Sequence, residues 1–272
     1  MVVRTGLAFG RRVMTDTILK EREGAVTVLR LNDPATMNAL TPDMAQTLRA
    51  LLASEVEQGA RAIVLAGGER GFSTGANLKA AMPENAESFD VGATLEEDYN
   101  PLMLAIRDLP VPLISAVRGA AAGVGASIAL ACDVIVAGRS AYFLEAFARI
   151  GLVPDGGATW LLTRAVGRVR AMEMMLLAEK IPATQAHEWG LITRVTEDDA
   201  VEDTALQLAR KLSQGPSRSY GLIRKAAWSA ADAGFEATLK TERQLQKEAG
   251  ETPDFAEGLA AFREKRQAKF HD

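Results

Sequence analysis

One stretch constrains this chain more than any other, the Gly/Ala-rich run Arg118-Gly-Ala-Ala-Ala-Gly-Val-Gly-Ala-Ser-Ile-Ala-Leu-Ala-Cys-Asp133. An apolar strand pattern (Val111 to Val117) enters it and an apolar helical pattern (Ser127, Ile128, Leu130, Ala131) leaves it, so its glycines occupy a strand-to-helix turn. The first N–H groups of a helix have no intrahelical acceptors and sit at the positive end of its dipole, which suits an incoming oxygen that gathers negative charge. Gly119, Gly123 and Gly125 let a ligand approach the main chain.

As a dinucleotide fingerprint the run offers Gly123-Val124-Gly125, but it lacks the third glycine and the acidic residue expected about 20 positions on. As a membrane span, Gly119 to Gly138 is long enough, yet it carries Asp133 and is dense in glycine. A buried helix followed by a buried strand, Asp133 to Gly138, fits better. No membrane partner is therefore expected.

The rest of the chain supports a globular α/β reading. Its 272 residues are 48% hydrophobic with a mean hydropathy near zero, enough to bury a substantial core. A net charge of −4 argues against a nucleic-acid partner, which asks for a basic excess. The single cysteine, Cys132, permits neither an internal disulfide nor a cysteine-based metal site and fits a reducing, cytoplasmic compartment. Residues 1–14 have too short an apolar core and the wrong charge order for a secretory signal and read as an N-terminal extension.

In chain order, Thr17 to Arg22 and Ala25 to Leu31 alternate as strands around Glu23-Gly24, a hairpin. Thr41-Pro42-Asp43 opens a helix that runs to about Gln58, and Ala62 to Ala66 is a short strand. Gly67 to Leu78 reads as a glycine-rich loop, Lys79 to Leu95 as a polar segment that covers a ligand, and Glu96 to Leu109 as a helix. Two units of strand, Gly-rich turn and helix thus stand side by side. Beyond Pro154-Asp155-Gly156-Gly157 come helical runs at 158–165 and 169–179, a short helix at 184–189 and a strand at 191–195. From Val201 the patterns are helical only, at 201–213, 218–231, 235–248 and 254–269. The organisation read from this is a core over 15–199 and a helical C-terminal segment over 200–272.

Six pieces, in order and spacing, carry a resemblance: Leu31-Asn-Asp-Pro-Ala-Thr-Met-Asn-Ala-Leu40, Gly71-Phe-Ser-Thr-Gly-Ala-Asn-Leu78, Gly119 to Asp133, Gly151-Leu-Val-Pro-Asp-Gly-Gly157, Ala186-His-Glu-Trp-Gly-Leu191 and Phe262-Arg-Glu-Lys-Arg266. Over Ile18 to Phe270 the chain resembles the enoyl-CoA hydratase/isomerase, or crotonase, family. The resemblance implies a spiral of strand-strand-helix units with a helical C-terminal part, assembled as homotrimers or dimers of trimers. It implies acyl-CoA thioesters as substrates, coenzyme A entering as part of the substrate, with no metal or redox cofactor.

The resemblance implies that two backbone N–H groups, of Ala76 and Val124, hold the thioester oxygen, each worth roughly 3–4 kcal/mol in a transition state. It sets Gly75, Asn77, Leu78, Gly123, Ser127 and Phe147 around the substrate, with Asn77 standing where the family usually has Asp. The two positions that carry glutamates in the family's hydratases read Ser127 and Phe147. Asp155 remains, in a context similar to the single-aspartate pattern of the ring-epoxyphenylacetyl-CoA isomerase branch, with Glu145 a candidate second carboxylate. One carboxylate can take a proton at one carbon and return it at another, whereas adding water benefits from both a base and an acid. The chain therefore reads as an acyl-CoA double-bond isomerase. The rival readings are an enoyl-CoA hydratase using Asp155 and Glu145, and a non-catalytic acyl-CoA-binding member of the fold.

Other features have plainer readings. Asp155 between Pro154 and Gly156 also suits a helix N-cap, Ser127 suits packing inside a Gly/Ala helix, and His187 a helix position near Trp189. Met172, Met174 and Met175 read as core or subunit contact. The run Arg263 to Arg266 reads as a solvated face, with Lys265 and Arg266 allowed by the resemblance to meet CoA phosphates.

Overall fold

The structure is a computed structural model that describes residues 13–14, 17–81 and 90–270. Strands β1 (Val13–Met14), β2 (Ile18–Glu23) and β3 (Val26–Leu31) form an antiparallel run, turning at Gly24 between β2 and β3. Helix α1 (Pro42–Glu57) starts as the Thr-Pro pair predicts, with Thr41 Oγ1 accepting from the Met44 N–H at 3.1 Å. Then come β4 (Ala62–Ala66), β5 (Gly71–Ser73), and the single turns α2 (Leu78–Ala81) and α3 (Val91–Thr94). A π-helical turn (Leu95–Tyr99) leads into α4 (Asn100–Asp108), β6 (Leu113–Val117), β7 (Ala120–Ala122) and α5 (Val124–Leu130). β8 (Val134–Gly138), β9 (Tyr142–Leu144) and a 3-10 turn (Ala146–Ile150) follow. The remaining elements are α6 (Ala158–Ala165), α7 (Gly167–Leu177), β10 (Ile181–Pro182), α8 (Ala183–Glu188), β11 (Arg194–Thr196), α9 (Val201–Ser213), α10 (Ser217–Ala230), α11 (Phe235–Gly250) and α12 (Pro253–Glu264).

From β4 to β9 successive strands alternate between two sheets. A seven-stranded sheet has the order β1-β2-β3-β4-β6-β8-β11, parallel from β3 onward, and a four-stranded sheet has the order β10-β9-β7-β5. Each of the pairs β4/β5, β6/β7 and β8/β9 gives its first strand to the large sheet and its second to the small one, so the chain advances as a spiral. Strand β4 shows why: buried at every position, it sends Ile63 and Leu65 into the main core between the layers and Ala62, Val64 and Ala66 into a second cluster. That second cluster is closed by Val201, Ala205, Leu206 and Ala209 of α9, which packs on the outer face of the large sheet.

The helix-only C-terminal stretch is tied to the core through Arg224 of α10. Its guanidinium, 6% exposed as a residue, donates to both oxygens of Asp133 at 2.9 and 2.7 Å and to the Ile106 carbonyl at 2.8 Å, and it also bonds the Leu109 carbonyl. Residues of α4, the head of β8 and α10 thus share one buried cation.

Several boundaries differ from the sequence expectation. The glycine-rich loop contains β5, a strand too short for a periodic signal. The helix expected from Glu96 begins as a π-turn, with the Asn100 N–H bonding the Leu95 carbonyl, because Pro101 has no N–H to continue an α ladder. The strand expected at 191–195 forms at Arg194–Thr196, after Thr193 has bonded Ile135 through both its N–H and its hydroxyl. The last helix stops at Glu264, where Lys265 takes φ +53 and the Arg266 N–H closes on the Ala261 carbonyl. Of the N-terminal extension only Val13–Met14 is described, as an edge strand on β2, and residues 82–89 of the covering segment and His271 lie outside the described residues.

Candidate active site

Two turns, one after each of two small-sheet strands, meet back to back. Gly75 follows β5 with φ +96, and a β-carbon there would stand 2.9 Å from the Ala122 carbonyl oxygen. A β-carbon on Gly125 of α5 would stand 2.5 Å from Ser73 Oγ, so neither turn can carry a larger residue at these positions without moving the other.

The first turn is held from outside by Tyr99 and by residues of the Leu31–Leu40 piece, for which the sequence analysis assigned no role in the site. Leu40 pairs with it in parallel, its N–H donating to the Gly75 carbonyl at 2.7 Å and its carbonyl accepting from the Asn77 N–H at 2.8 Å. This pattern passes over the intervening N–H of Ala76, which has no acceptor among the described residues. The Leu40 carbonyl also accepts from the Tyr99 hydroxyl at 2.9 Å, and Asn38 Nδ2 donates to the Gly71 and Phe72 carbonyls. Asn38 and Met37 both have positive φ, a conformation asparagine tolerates better than most residues, and this was the one available sequence signal. Asn77 Oδ1 accepts from the Ala80 N–H at 3.2 Å, so its side chain caps the short helix α2 that Leu78 opens.

In the second turn, Gly123 has φ +51 and donates its N–H to the Leu144 carbonyl, while Val124 is the first residue of α5, where an N–H has no intrahelical acceptor. The Phe147 ring lies against the turn, 3.5 Å from where a Gly123 β-carbon would be. Ser127, fully buried one turn into α5, donates to the Asp155 backbone carbonyl at 3.0 Å. It packs, as expected, and it also pins the Asp155 loop to the helix.

Asp155 is not a cap. α6 takes Gly157 as its N-cap residue and uses no side chain there, and the Ala158 N–H bonds the Asp155 carbonyl rather than its carboxylate. The local sequence Pro-Asp-Gly-Gly suits a cap, but Ser127 holds the Asp155 backbone and two glycines with positive φ, Gly156 (+57) and Gly157 (+79), lead into α6, so no helix N–H bonds the carboxylate. Its Oδ1 is buried without a partner, and burial pushes the carboxyl from 3.8 up to about 6. Glu145, between β9 and the 3-10 turn, is 0% exposed with both oxygens unpartnered. Burial, and then the Asp155 charge, push it to about 8. Tyr99 is raised to about 12 by burial, Asp155 and Asp98. The structure thus brings together Ala76, Val124, Asp155, Glu145 and Tyr99.

Beside Gly156 and Gly157 opens a cavity of about 1020 Å³, walled by Met103 and Leu104 of α4 and by Leu222, Lys225 and Trp228 of α10. Its aromatic wall is the stacked pair Trp160 and Trp228, 5.1 Å between centroids, with Trp160 Nε1 bonded to Asp232 and Arg164 over the Trp160 ring. Arg266 is far along the chain in α12's exit, where Glu257 and Glu264 pair with its guanidinium, and Lys265 forms the left-handed cap beside it. His187 sits in α8 next to Trp189, and among the described residues no three His, Cys, Asp or Glu side chains cluster as a metal would need.

The family model described as enoyl-CoA hydratase/isomerase matches residues 21–272. The chain belongs to the enoyl-CoA hydratase/isomerase family of enzymes. It is 42% identical over 259 residues to the 1,2-epoxyphenylacetyl-CoA isomerase of Escherichia coli K12, covering 94% of this chain and 99% of that one. It is 43% identical to a "probable enoyl-CoA hydratase" of Rhodobacter capsulatus, covering 93% and 97%. A crystal structure of an enoyl-CoA hydratase from Polaromonas sp. JS666 superposes with a TM-score of 0.87 at 32% identity, covering 93% of this chain and 99% of that one. Among its enoyl-CoA hydratase/isomerase relatives, then, near-equal identities go with isomerase and hydratase names. The acid-base residues must separate the two activities.

Proposed function

We propose that the protein is an acyl-CoA double-bond isomerase in which Asp155 carries the proton. The observation that bears most on this reading is the Asp155 carboxyl itself, half-buried beside the paired turns, with one oxygen unpartnered and an affinity for protons raised to about 6. Such a group is ionised near neutral pH yet basic enough to accept a proton and acidic enough to give it back. The positions that carry glutamates in hydratases of the fold hold a packed Ser127 and an apolar Phe147.

The substrate is a coenzyme A thioester, whose carbonyl oxygen receives the Ala76 and Val124 N–H groups. Proton loss from C2 of a 3-enoyl thioester moves charge onto that oxygen, where fixed donors stabilise it without reorganising. Asp155 takes the C2 proton and returns it at C4, leaving a 2-enoyl thioester and the starting carboxylate. No redox cofactor or metal enters this proton shuttle. The isomerase name of the Escherichia coli relative supports the reading. The exposed Phe235, Phe255 and Phe262 of α11 and α12 suit burial against further copies of the chain, as homotrimers or dimers of trimers.

A second reading, hydration of 2-enoyl thioesters with Asp155 and Glu145 as the acid-base pair, is favoured by the position of Glu145 beside Asp155. One experiment separates them. Purified protein and Asp155→Asn are given 3-enoyl-CoA and 2-enoyl-CoA thioesters in ¹⁸O-labelled water, following the double bond and label uptake. Isomerisation that falls by about 10²–10⁴ in the variant, the usual share of one acid-base group, supports the isomerase. Labelled 3-hydroxyacyl product with little isomerisation, or a fully active variant, overturns it.

A further inference from the structure

Most of the buried polar side-chain atoms left without a hydrogen-bond partner among the described residues belong to one place: both oxygens of Glu145 and Oδ1 of Asp155. Glu145 cannot swing away to find water. It directly follows Leu144, whose carbonyl accepts the Gly123 N–H, and it opens the turn that presses Phe147 against Gly123, so its backbone is part of the wall behind the second N–H donor. No ion pair reaches Glu145 or Asp155 from any described Lys or Arg. Two bare carboxylates in a common apolar setting repel each other, and such pairs keep one proton between them.

We propose that Glu145 and Asp155 hold one proton between them in the working enzyme, with Glu145 the protonated partner that limits the pocket to one negative charge. The inference rests on Asp155 being the proton shuttle. No hydrogen bond joins the two side chains, so Glu145 acts on Asp155 through charge: kept neutral, it leaves Asp155 as the single negative charge in the pocket. Glu145 keeps its proton through turnover, so the exchange between substrate carbons and Asp155 balances without it.

The surroundings agree. Burial and the neighbouring Asp155 charge raise Glu145 to about 8 while burial raises Asp155 to about 6, so the pair is singly charged between these values. Tyr99, raised to about 12, stays neutral there, and Asp98 accepts from Gln46 Nε2. Arg149, in the same turn as Glu145's neighbours, donates to the Ala178 carbonyl. Lys180 lies over the Tyr142 ring, and Arg168, Arg170 and Glu173 are on the exposed face of α7. None of these cations neutralises the pair.

The test is the pH dependence of kcat/KM for 3-enoyl-CoA isomerisation in the wild-type protein, Glu145→Gln and Glu145→Leu. The wild type should rise through about 6 and fall through about 8, because a second ionised carboxyl opposes the developing enolate. Glu145→Gln is neutral and cannot ionise, so it should keep the acid limb and lose the alkaline one, exceeding the wild type about tenfold one pH unit past the upper value. Glu145→Leu, which cannot ionise either, should lose the alkaline limb as well. Profiles of wild type and Glu145→Gln that superimpose overturn the pairing. Should both variants fail to fold, the wild-type infrared spectrum decides: a carboxylic-acid carbonyl band at pH 7 that vanishes by pH 9 supports it, and no such band at pH 7 overturns it. An inactive Asp155→Asn alongside superimposed profiles defeats only the pairing, whereas an active Asp155→Asn defeats the reading beneath it.

Discussion

Replacing Glu145 by Gln should make the protein more stable at alkaline pH than the wild type, by an amount that grows with pH. The sign follows from the raised proton affinity. In the unfolded chain Glu145 ionises near its ordinary 4.5, whereas in the folded protein burial holds its proton until about 8. Below 4.5 both states are protonated and the group takes nothing from stability. Between 4.5 and about 8 only the folded state keeps the proton, so stability falls as pH rises, and above about 8 the loss is complete. One pH unit corresponds to about 1.4 kcal/mol, so a separation of this size costs at most about 5 kcal/mol. Most of that difference develops by pH 8, so the two proteins should differ there by about 4 kcal/mol more than at low pH, far above experimental error. The amide of Gln has nearly the same volume and no charge, which leaves the packing behind Phe147 intact. Urea unfolding at pH 5, 6, 7 and 8, at one fixed protein concentration because assembly adds to apparent stability, would show the two proteins converging at pH 5 and separating toward pH 8. Parallel curves, with the same difference at every pH, would refute the claim that a proton is held on Glu145 in the fold.

Other consequences follow from the same geometry. Gly75→Ala places a β-carbon 2.9 Å from the Ala122 carbonyl in a left-handed conformation, so kcat for thioester isomerisation should fall about a hundredfold, the usual effect of displacing one oxyanion donor; stopped assays with unchanged kcat would reject the turn. Arg224→Met strips the partner from Asp133 and frees three backbone carbonyls, and calorimetry should find about 3 kcal/mol lost, against the few tenths expected of an ordinary surface change. Arg266→Ala should leave KM for acyl-CoA within about twofold, because Glu257 and Glu264 already hold the guanidinium; a KM increase well beyond that would show the arginine giving up those partners for a phosphate.

Much of the fold could be read residue by residue. The β2–β3 hairpin follows from alternation around Glu23-Gly24, the start of α1 from Thr41-Pro42, and the buried parallel strands β4, β6 and β8 from short continuous apolar runs. The strands β5, β7 and β9 could not be read in this way, since three residues show no period and β7 is simply Ala-Ala-Ala. They exist because the small sheet pairs them across the chain, Gly71 with Ala120 and Ala120 with Tyr142. Tyr99 was hidden for a similar reason: its hydroxyl acts on Leu40, 59 residues earlier.

The sequence by itself determined the chemical inventory: a strand-to-helix turn rich in glycine, a glycine-rich loop before it, Glu145 and Asp155 after it, and, by resemblance to the family, a serine and a phenylalanine where its hydratases carry two acids. These are local properties of composition and spacing, which any fold must carry. Only the tertiary structure decided that the two turns lie back to back, that the Asp155 carboxylate caps no helix N–H, and that Glu145 is buried near it with no cation. Each of these depends on packing between segments distant in sequence, and the proton affinity of a carboxyl is set by what surrounds it in space.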